Sequence, residues 1–510
     1  MKHRSTPTAW ACLLTGLLAF TTQAQEPAKA PDTIEALQKR LTEIVSKPQY
    51  DAGEFGVKIV SLDSKKTIFE HDAGKLLSPA SNSKLYTMAM ALDRLGPDYR
   101  IKTSLYAKSK PEQGKLKGDL IVYGRGDPTI NVKLHGNDIY QALEPLVAAL
   151  TNAGVKHITG DLIGDESYFH GPPYGSGWDW DDFQNYYGAE ISSLTINDNT
   201  LQLAVKPGAH PGAPCQLSLI PATDYLKLIN STKTVATNGT RSVHLYRPVG
   251  ENVIYVSGQV PLNDKSAPED VTMHNPAGLF VSYFKAALAR HGIQVSGHLR
   301  TMNWKDRETE PLNVEGLVEL GSMDSLPMRD IIREVQKPSQ NLYTDLMLAH
   351  VGAKLGGTLT PEQTTEEAGI KALRAFLQEV GIKKGETIFE EGSGLSRNNL
   401  TTANATVTLL EFMSHHKCSD IYINALPIAG VDGSLRKRMK GTAAMNNVHA
   451  KTGSLGWANS LSGYVTTAAG EKLIFSLMLN RFRNTDPDHS KTADLDAIAV
   501  LLAEFTGRTS

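Results

Sequence analysis

The chain has 510 residues, of which 41% are hydrophobic and 21% charged, and its 52 basic and 54 acidic side chains give a net charge of -2. These fractions are typical of a soluble globular protein and exclude a disordered, collagenous or coiled-coil chain, while the length predicts about three domains of roughly 150 residues each. Without a basic excess there is no electrostatic basis for binding nucleic acid or an anionic membrane surface.

The N-terminus has the pattern of an export signal. Lys2 and Arg4 precede a short apolar run, and Thr22-Gln23-Ala24 supplies the small residues that a signal peptidase requires. We expect cleavage after Ala24, with a buried N-terminal helix as the alternative. Since no apolar run reaches the roughly 18 residues of a transmembrane helix, the sequence predicts a periplasmic or secreted protein, with periplasmic preferred and at most a peripheral membrane association.

Both helices and strands are expected at the two ends of the chain. Helical periodicity and strand alternation predict a helix over 32–46, a strand pair over 57–70, a helix from Ser81 to Leu95, helices over 276–291 and 328–355, strands over 462–466 and 472–479, and a closing helix over 492–505. Between them, residues 200–260 contain short alternating runs separated by Gly, Pro and Asn, which predict a small all-β unit.

Metal and disulfide chemistry have little support. The 15 histidines show no ligand spacing, so we predict neither a metal nor another cofactor. Cys215 and Cys418 remain after cleavage, and their spacing matches no metal or redox motif. Whether these two thiols pair is left open by the sequence.

Ser81 and Lys84 form a Ser-x-x-Lys motif at the start of a predicted helix. Residues three apart share a helix face, so the amine can reach the hydroxyl, and the helix N-terminus offers backbone N–H groups for a developing oxyanion. The motif alone is weak evidence, because it recurs at 414–417 and 434–437. On its own it is better explained by a helix cap beside a solvated lysine.

Two further motifs follow in order, and the trio is more specific than any member. Ser339-Gln340-Asn341 gives Ser-x-Asn, and Lys451-Thr452-Gly453 gives Lys-Thr-Gly. In this order they resemble the signature of penicillin-binding proteins and class A β-lactamases. The large insertion between the first two motifs is similar to that of the low-molecular-mass D-alanyl-D-alanine carboxypeptidase/endopeptidase family.

The resemblance to this family extends over about residues 32–505. It is carried by further stretches, namely Gly124-Arg125-Gly126-Asp127-Pro128, Trp178-Asp179-Trp180-Asp181-Asp182, Gly392-Ser393-Gly394-Leu395-Ser396-Arg397 and Asp432-Gly433-Ser434-Leu435. It implies an α+β fold with a β-lactamase/transpeptidase-like domain, an antiparallel sheet covered by helices, over 25–107 and 306–510. An inserted second domain would span 108–200 and 265–305, with a nested β-rich domain over 201–264.

The resemblance also implies catalytic roles. Ser81 would attack the carbonyl of a D-Ala-D-Ala bond, and Lys84 would take its proton, with a pKa lowered by burial and by the ammonium of Lys451. Ser339 would relay a proton to the leaving amine, and Asn341 would bond the substrate amide. The backbone N–H groups of Ser81 and Ser454 would form the oxyanion hole.

Substrate binding is assigned in the same way. Lys451, Thr452 and Gly453, continued by Ser454, would receive the terminal carboxylate in a charge-assisted contact. A second group would bind a diaminopimelate side chain, with Asp182 holding its amine, Arg397 its carboxylate, and Tyr187 flanking them. The alternatives are a solvated loop acid for Asp182 and a structural ion pair for Arg397.

One position departs from the family pattern. Family members often carry Gln three residues after Lys-Thr-Gly, where this chain has Gly456. One side-chain contact to the substrate stem is therefore not expected here.

The sequence thus predicts a serine DD-peptidase of peptidoglycan metabolism that acts on stem peptides and muropeptides, cleaves D-Ala-D-Ala termini and D-alanyl-diaminopimelate cross-links, and is inhibited by β-lactams. A homo-oligomer is compatible with the sequence. Three alternatives are a β-lactamase, for which the E-x-x-L-N motif of class A is missing, a non-catalytic muropeptide or penicillin sensor, and a structural wall-binding protein.

Overall fold

The structure is a computed structural model that describes residues 30–357, 359–360, 362–482 and 490–509. The predicted export signal over 1–24 lies outside these residues. Within them, the helices in chain order are α1 (Ile34–Val45), α2 (Ser83–Leu95), α3 (Ile139–Asn152), α4 (Pro276–Arg290), α5 (Asp306–Thr309), α6 (Met328–Gln336), α7 (Asn341–Leu355), α8 (Thr365–Val380), α9 (Ala403–His415), α10 (Ser419–Ala425) and α11 (Ala493–Glu504).

The strands of the described residues occur in six sheets. In chain order they are β1 (Glu54–Ser61), β2 (Thr67–His71), β3 (Lys102–Ala107), β4 (Lys115–Leu116), β5 (Leu120–Tyr123), β6 (His157–Ile158), β7 (Leu162–Asp165), β8 (Thr200–Lys206), β9 (Gln216–Ile220), β10 (Lys227–Val235), β11 (Ser242–Tyr246), β12 (Val253–Pro261), β13 (Glu269–Thr272), β14 (Gln294–Val295), β15 (Leu299–Met302), β16 (Val318–Asp324), β17 (Thr387–Ile388), β18 (Leu400–Thr401), β19 (His449–Leu455), β20 (Ala458–Thr466) and β21 (Lys472–Asn480).

The main sheet joins the two ends of the chain. Its order is β19-β20-β21-β1-β2 and every neighbouring pair is antiparallel, with Val57 of β1 opposite Leu477 of β21. Helices cover both faces, since the apolar cluster of α1 and α11 lies against one face and that of α2, α7 and α9 against the other. The central strands are therefore buried on both faces, and the predicted α+β fold is confirmed.

The nucleophile motif lies where this sheet meets α2. A 3₁₀ turn over Ala80–Asn82 leads into α2, which is almost entirely buried and ends at Gly96 with φ of 84°. A left-handed φ is readily adopted only by glycine, which explains the sharp helix end that the sequence predicts.

The predicted helix over 328–355 is two helices. α6 ends at Gln336, α7 begins at Asn341, and Ser339 between them has φ of 68°. Pro338 has no backbone N–H to continue the helical hydrogen bonds, so the helix ends there. The break coincides with the Ser-x-Asn motif.

The inserted region is larger than the sequence indicates. Its main sheet has the order β15-β7-β5-β3-β16, and β3 and β16, which lie within the ranges predicted for the first domain, join it because β3 pairs with β5 and β16 pairs with β3. Hydrogen bonding therefore extends the inserted sheet to Lys102 and Asp324, beyond the predicted boundaries at 107 and 306. Likewise β13 pairs with β8, which extends the nested unit to Thr272 rather than 264.

The structure also describes the two cysteines and the helices that could bear on membrane insertion. Cys215 and Cys418 are both free and buried, so they do not pair with each other. Among the described residues, no helix is long and apolar enough to cross a bilayer.

Candidate active site

Ser81 and Lys84 are brought together by the turn that opens α2. Ser81 lies in the 3₁₀ turn and Lys84 one turn further on, and the Lys84 Nζ is 2.9 Å from the Ser81 Oγ. The same Nζ donates to the Asn341 Oδ1 and to the Ser393 backbone carbonyl, each at 2.6 Å. These two acceptors fix the amine beside the hydroxyl, and in the neutral form the lone pair of Nζ is left to accept the Ser81 proton, as a general base requires.

The Lys84 amine is fully buried, and this burial lowers its pKa to about 8. The nearby carboxylates of Glu391 and Asp345 oppose the shift by favouring the ammonium. The two amines also repel each other when both are charged: burial and then the charge of Lys84 hold the pKa of Lys451 well below its usual range.

A second lysine–serine pair lies across the cleft. Lys451 on β19 is fully buried and donates to the Ser339 Oγ at 2.7 Å and to the Thr452 backbone carbonyl at 2.8 Å. The left-handed backbone of Ser339, set by the break after α6, presents its hydroxyl to this amine. Ser339 is therefore linked to an amine that can exchange a proton with it.

Asn341 is the first residue of α7 and connects two parts of the molecule. Its Oδ1 accepts from Lys84, and its Nδ2 donates to the Tyr187 backbone carbonyl at 3.0 Å. Because Tyr187 belongs to the inserted region, this one side chain ties the insertion to the catalytic lysine.

Gly453 is required by close packing. A Cβ at this position would lie 2.1 Å from the Ser460 Oγ and 2.5 Å from the Pro79 carbonyl oxygen, which are sub-contact distances. Because Pro79 directly precedes the turn that carries Ser81, the glycine lets β19 approach the nucleophile. Beside it, the Thr452 hydroxyl shares a hydrogen bond of 2.6 Å with Ser434.

Asp182 and Arg397 meet at the other side of the cleft. The Arg397 Nη1 is 2.6 Å from the Asp182 Oδ2, and its Nε is 2.7 Å from the Asp179 Oδ2. Asp182 is 5% exposed and Arg397 41% exposed, so the pair presents mainly its guanidinium to solvent. The two residues predicted to bind opposite charges of one ligand are thus ion-paired with each other, beside Tyr187.

These groups border one cleft of about 490 Å³. It is lined by Ser81, Asp182, Tyr186, Tyr187, Pro338, Ser339, Asn341, Gly394, Leu395, Arg397, Thr452, Ser454, Leu455, Gly456 and Lys491. Lys84, Lys451 and Gly453 lie behind this lining as buried supports. Gly456 leaves that part of the wall without a side chain.

Sequence reasoning missed the acids that brace the site. The buried carboxylate of Glu391 accepts from the backbone N–H groups of Ser393, Gly394 and Ser396, which fixes the loop whose carbonyl holds Lys84. Asp345, also buried, accepts from the Gly392 N–H, and burial raises its pKa well above the usual range. An acid directly before a Gly-Ser-Gly run was the available signal for Glu391.

Lys491 was also missed. It lines the cleft just before α11, and its Nζ donates to the Ser454 Oγ at 3.1 Å. No motif marks it, because it lies far along the chain from Lys-Thr-Gly and reaches the cleft only through the fold.

Comparison with known proteins agrees with this geometry. Residues 37–504 match the D-Ala-D-Ala carboxypeptidase 3 (S13) family. The chain is 31% identical to the D-alanyl-D-alanine carboxypeptidase of Actinomadura sp. strain R39, over 96% of this chain and 89% of that protein. It is 26% identical to the D-alanyl-D-alanine carboxypeptidase DacB of Haemophilus influenzae, over 85% and 86%.

The fold is also that of a solved relative. The crystal structure of penicillin binding protein 4 (dacB) from Haemophilus influenzae superposes with a TM-score of 0.74 at 24% identity, over 90% of this chain and 97% of that one. A second structure of that protein, complexed with a β-lactam, gives a TM-score of 0.70 at 23% identity, with the same coverage of both chains. The chain therefore belongs to the D-Ala-D-Ala carboxypeptidase 3 (S13) family, and the predicted enzyme class, a serine-type D-alanyl-D-alanine carboxypeptidase, is confirmed.

Proposed function

We propose that Ser81 is the nucleophile of a periplasmic DD-peptidase that removes the terminal D-alanine from peptidoglycan stem peptides. The observation that carries this assignment is the 2.9 Å contact between the Ser81 Oγ and the buried Lys84 Nζ. Family membership indicates which bond is cleaved, and this contact identifies Ser81 and Lys84 as the side chains that would cleave it.

The reaction would proceed in two halves. The Ser81 Oγ bonds to the carbonyl carbon of the penultimate D-Ala while its proton passes to Lys84, whose pKa of about 8 leaves part of the amine neutral near neutral pH. The oxyanion is held by the backbone N–H groups of Ser81 and Ser454. The C–N bond then breaks, the Ser339 hydroxyl protonates the departing amine, and Lys451 reprotonates Ser339. In the second half water attacks the ester carbonyl and gives its proton to Lys451, while Lys84 returns its proton to the Ser81 Oγ as the ester bond breaks, which restores all three groups.

We further propose that Asp182, Tyr187 and Arg397 recognise a diaminopimelate side chain, which would extend the activity to D-alanyl-diaminopimelate cross-links. Their position on the cleft wall supports this assignment. Because Arg397 already neutralises Asp182, an incoming ligand would either share this ion pair or divide it, with its amine on Asp182 and its carboxylate on Arg397.

β-Lactams should acylate Ser81 as a substrate does, and the resulting acyl-enzyme should persist instead of being hydrolysed. Their strained amide resembles the scissile bond, their carboxylate suits the Thr452 and Ser454 end of the cleft, and the Haemophilus relative has been crystallised with such a compound. In this proposal the protein is exported by its N-terminal segment and acts on muropeptides in the periplasm.

Intact-protein mass spectrometry with benzylpenicillin tests the assignment. We expect a persistent adduct of penicillin mass that peptide mapping places on Ser81 and that Ser81→Ala abolishes, together with D-alanine release from a D-Ala-D-Ala tripeptide by the unmodified enzyme. The matched control is Ser78→Ala, which removes a nearby hydroxyl that is not among the described contacts of Lys84. Rapid penicillin consumption without an adduct would indicate a β-lactamase, and neither adduct nor consumption would contradict the assignment.

A further inference from the structure

The end of the cleft predicted to receive the substrate carboxylate does not expose the lysine of the Lys-Thr-Gly motif. Its lining there is formed by the Thr452 and Ser454 side chains. Lys451, the lysine of the motif, is fully buried and directs its Nζ at the Ser339 Oγ and the Thr452 backbone carbonyl. It is not part of the cleft lining and lies one layer behind it.

Arg397 does not fill this role either. Its guanidinium is engaged by the Asp182 and Asp179 carboxylates, at 2.6 Å and 2.7 Å. Arg397 lies against Asp179 and Asp182 of the inserted region, and these two carboxylates offset its charge.

Lys491 has the position and the free charge that a carboxylate requires. It is exposed, lines the cleft, and its Nζ lies 3.1 Å from the Ser454 Oγ. Among the residues that the structure describes, no carboxylate forms an ion pair with it. Lys491 lies just before α11, whose first turn is anchored by the ion pair of Asp494 with Lys47 at 2.6 Å.

We propose that Lys491, together with the Thr452 and Ser454 hydroxyls, binds the terminal carboxylate of the substrate or of a β-lactam. This inference rests on the proposed function, because it names the specificity residue of that same site. An ammonium–carboxylate contact is a charge-assisted hydrogen bond, which is stronger than a neutral one. Because Lys491 is exposed, water and salt weaken this contact, and its contribution to binding falls as ionic strength rises. Lys491 should therefore affect capture of the ligand more than the chemical step.

The test compares acylation by benzylpenicillin with acylation by its methyl ester, which has no carboxylate. In Lys491→Met we expect the second-order acylation constant for benzylpenicillin to fall roughly tenfold, and the constant for the methyl ester to stay unchanged. Lys491→Arg keeps the charge and should remain within about threefold of the unmodified enzyme. Lys440→Met, at an exposed lysine outside the cleft lining, is the control and should change neither constant.

The salt dependence provides a second measurement. Raising ionic strength should slow acylation by benzylpenicillin in the unmodified enzyme and have much less effect in Lys491→Met. Equal loss for acid and ester, or no loss for either, would overturn the inference while leaving Ser81 as the nucleophile. If the unmodified enzyme is acylated by neither compound, the proposed function fails first and the inference fails with it.

Discussion

The two walls of the cleft are built differently. The catalytic wall, formed by Ser81, Lys84, Ser339, Asn341 and Lys451, has its amines fully buried and joined to the serines and the asparagine by hydrogen bonds of 2.6 to 2.9 Å. The opposite wall, which we call the specificity wall, consists of Asp182, Tyr187 and Arg397, and the Arg397 side chain is 41% exposed. A closed network suits proton transfer, whereas an exposed ion pair suits exchange of partners with a ligand. Damage to one wall should therefore change the rate of chemistry, and damage to the other the choice of substrate.

The largest expected effect comes from removing the base of the catalytic wall. In Lys84→Met the Ser81 hydroxyl keeps its position but has no group to accept its proton, so acylation by benzylpenicillin should slow about a thousandfold. Stopped-flow or mass-spectrometric acylation rates would measure this. Lys39→Met, at an exposed lysine on α1, is the control. If acylation were nearly normal in Lys84→Met, another group would have to be the base.

The pH dependence of acylation tests the base of the catalytic wall without a mutation. Burial lowers the pKa of Lys84 to about 8, and the reactive form is the neutral amine, so acylation should rise as pH increases through this value. Between about pH 6 and about pH 9 the expected rise is close to a hundredfold, followed by a plateau. A rate that is flat across this range would contradict proton transfer to Lys84.

The smallest expected effect lies on the specificity wall. Arg397→Gln leaves the nearly buried Asp182 carboxylate without its cation, so KM for a diaminopimelate-containing stem peptide should rise about tenfold. Acylation by benzylpenicillin should change less than twofold, and Arg397→Lys should restore part of the peptide affinity. Steady-state kinetics with the peptide, beside acylation rates, would measure both. An equal loss for peptide and penicillin would mean that the two walls do not act separately.

The order of the elements and the catalytic trio could be predicted from sequence because both depend on local patterns. Periodicity gave α1, α2 and the closing helix to within a few residues, and the spacing of Ser81 and Lys84 requires only one turn of helix. The Ser-x-Asn and Lys-Thr-Gly motifs lie close in space because β19 and α7 pack around the turn that carries Ser81, a placement that only the family resemblance could suggest.

The remaining features depend on contacts between distant segments. β3 and β16 have ordinary strand patterns, and only the pairing of β3 with β5 and of β16 with β3 shows that they belong to the inserted sheet. Glu391 is significant because it is buried beneath a loop, and Lys491 because α11 returns to the cleft. Burial and tertiary pairing of this kind leave no periodicity in the sequence.

The pairing of β1 with β21 also has a consequence for biosynthesis. A growing chain presents Ser81 long before it presents Asn341, which holds Lys84, or β19, which closes the cleft. Until β21 has joined β1, the main sheet is divided and the serine has an incomplete set of partners. The nucleophile should therefore be inert during synthesis, and a chain that stops before β19 would carry the serine without the ability to react with cell-wall peptides or penicillin.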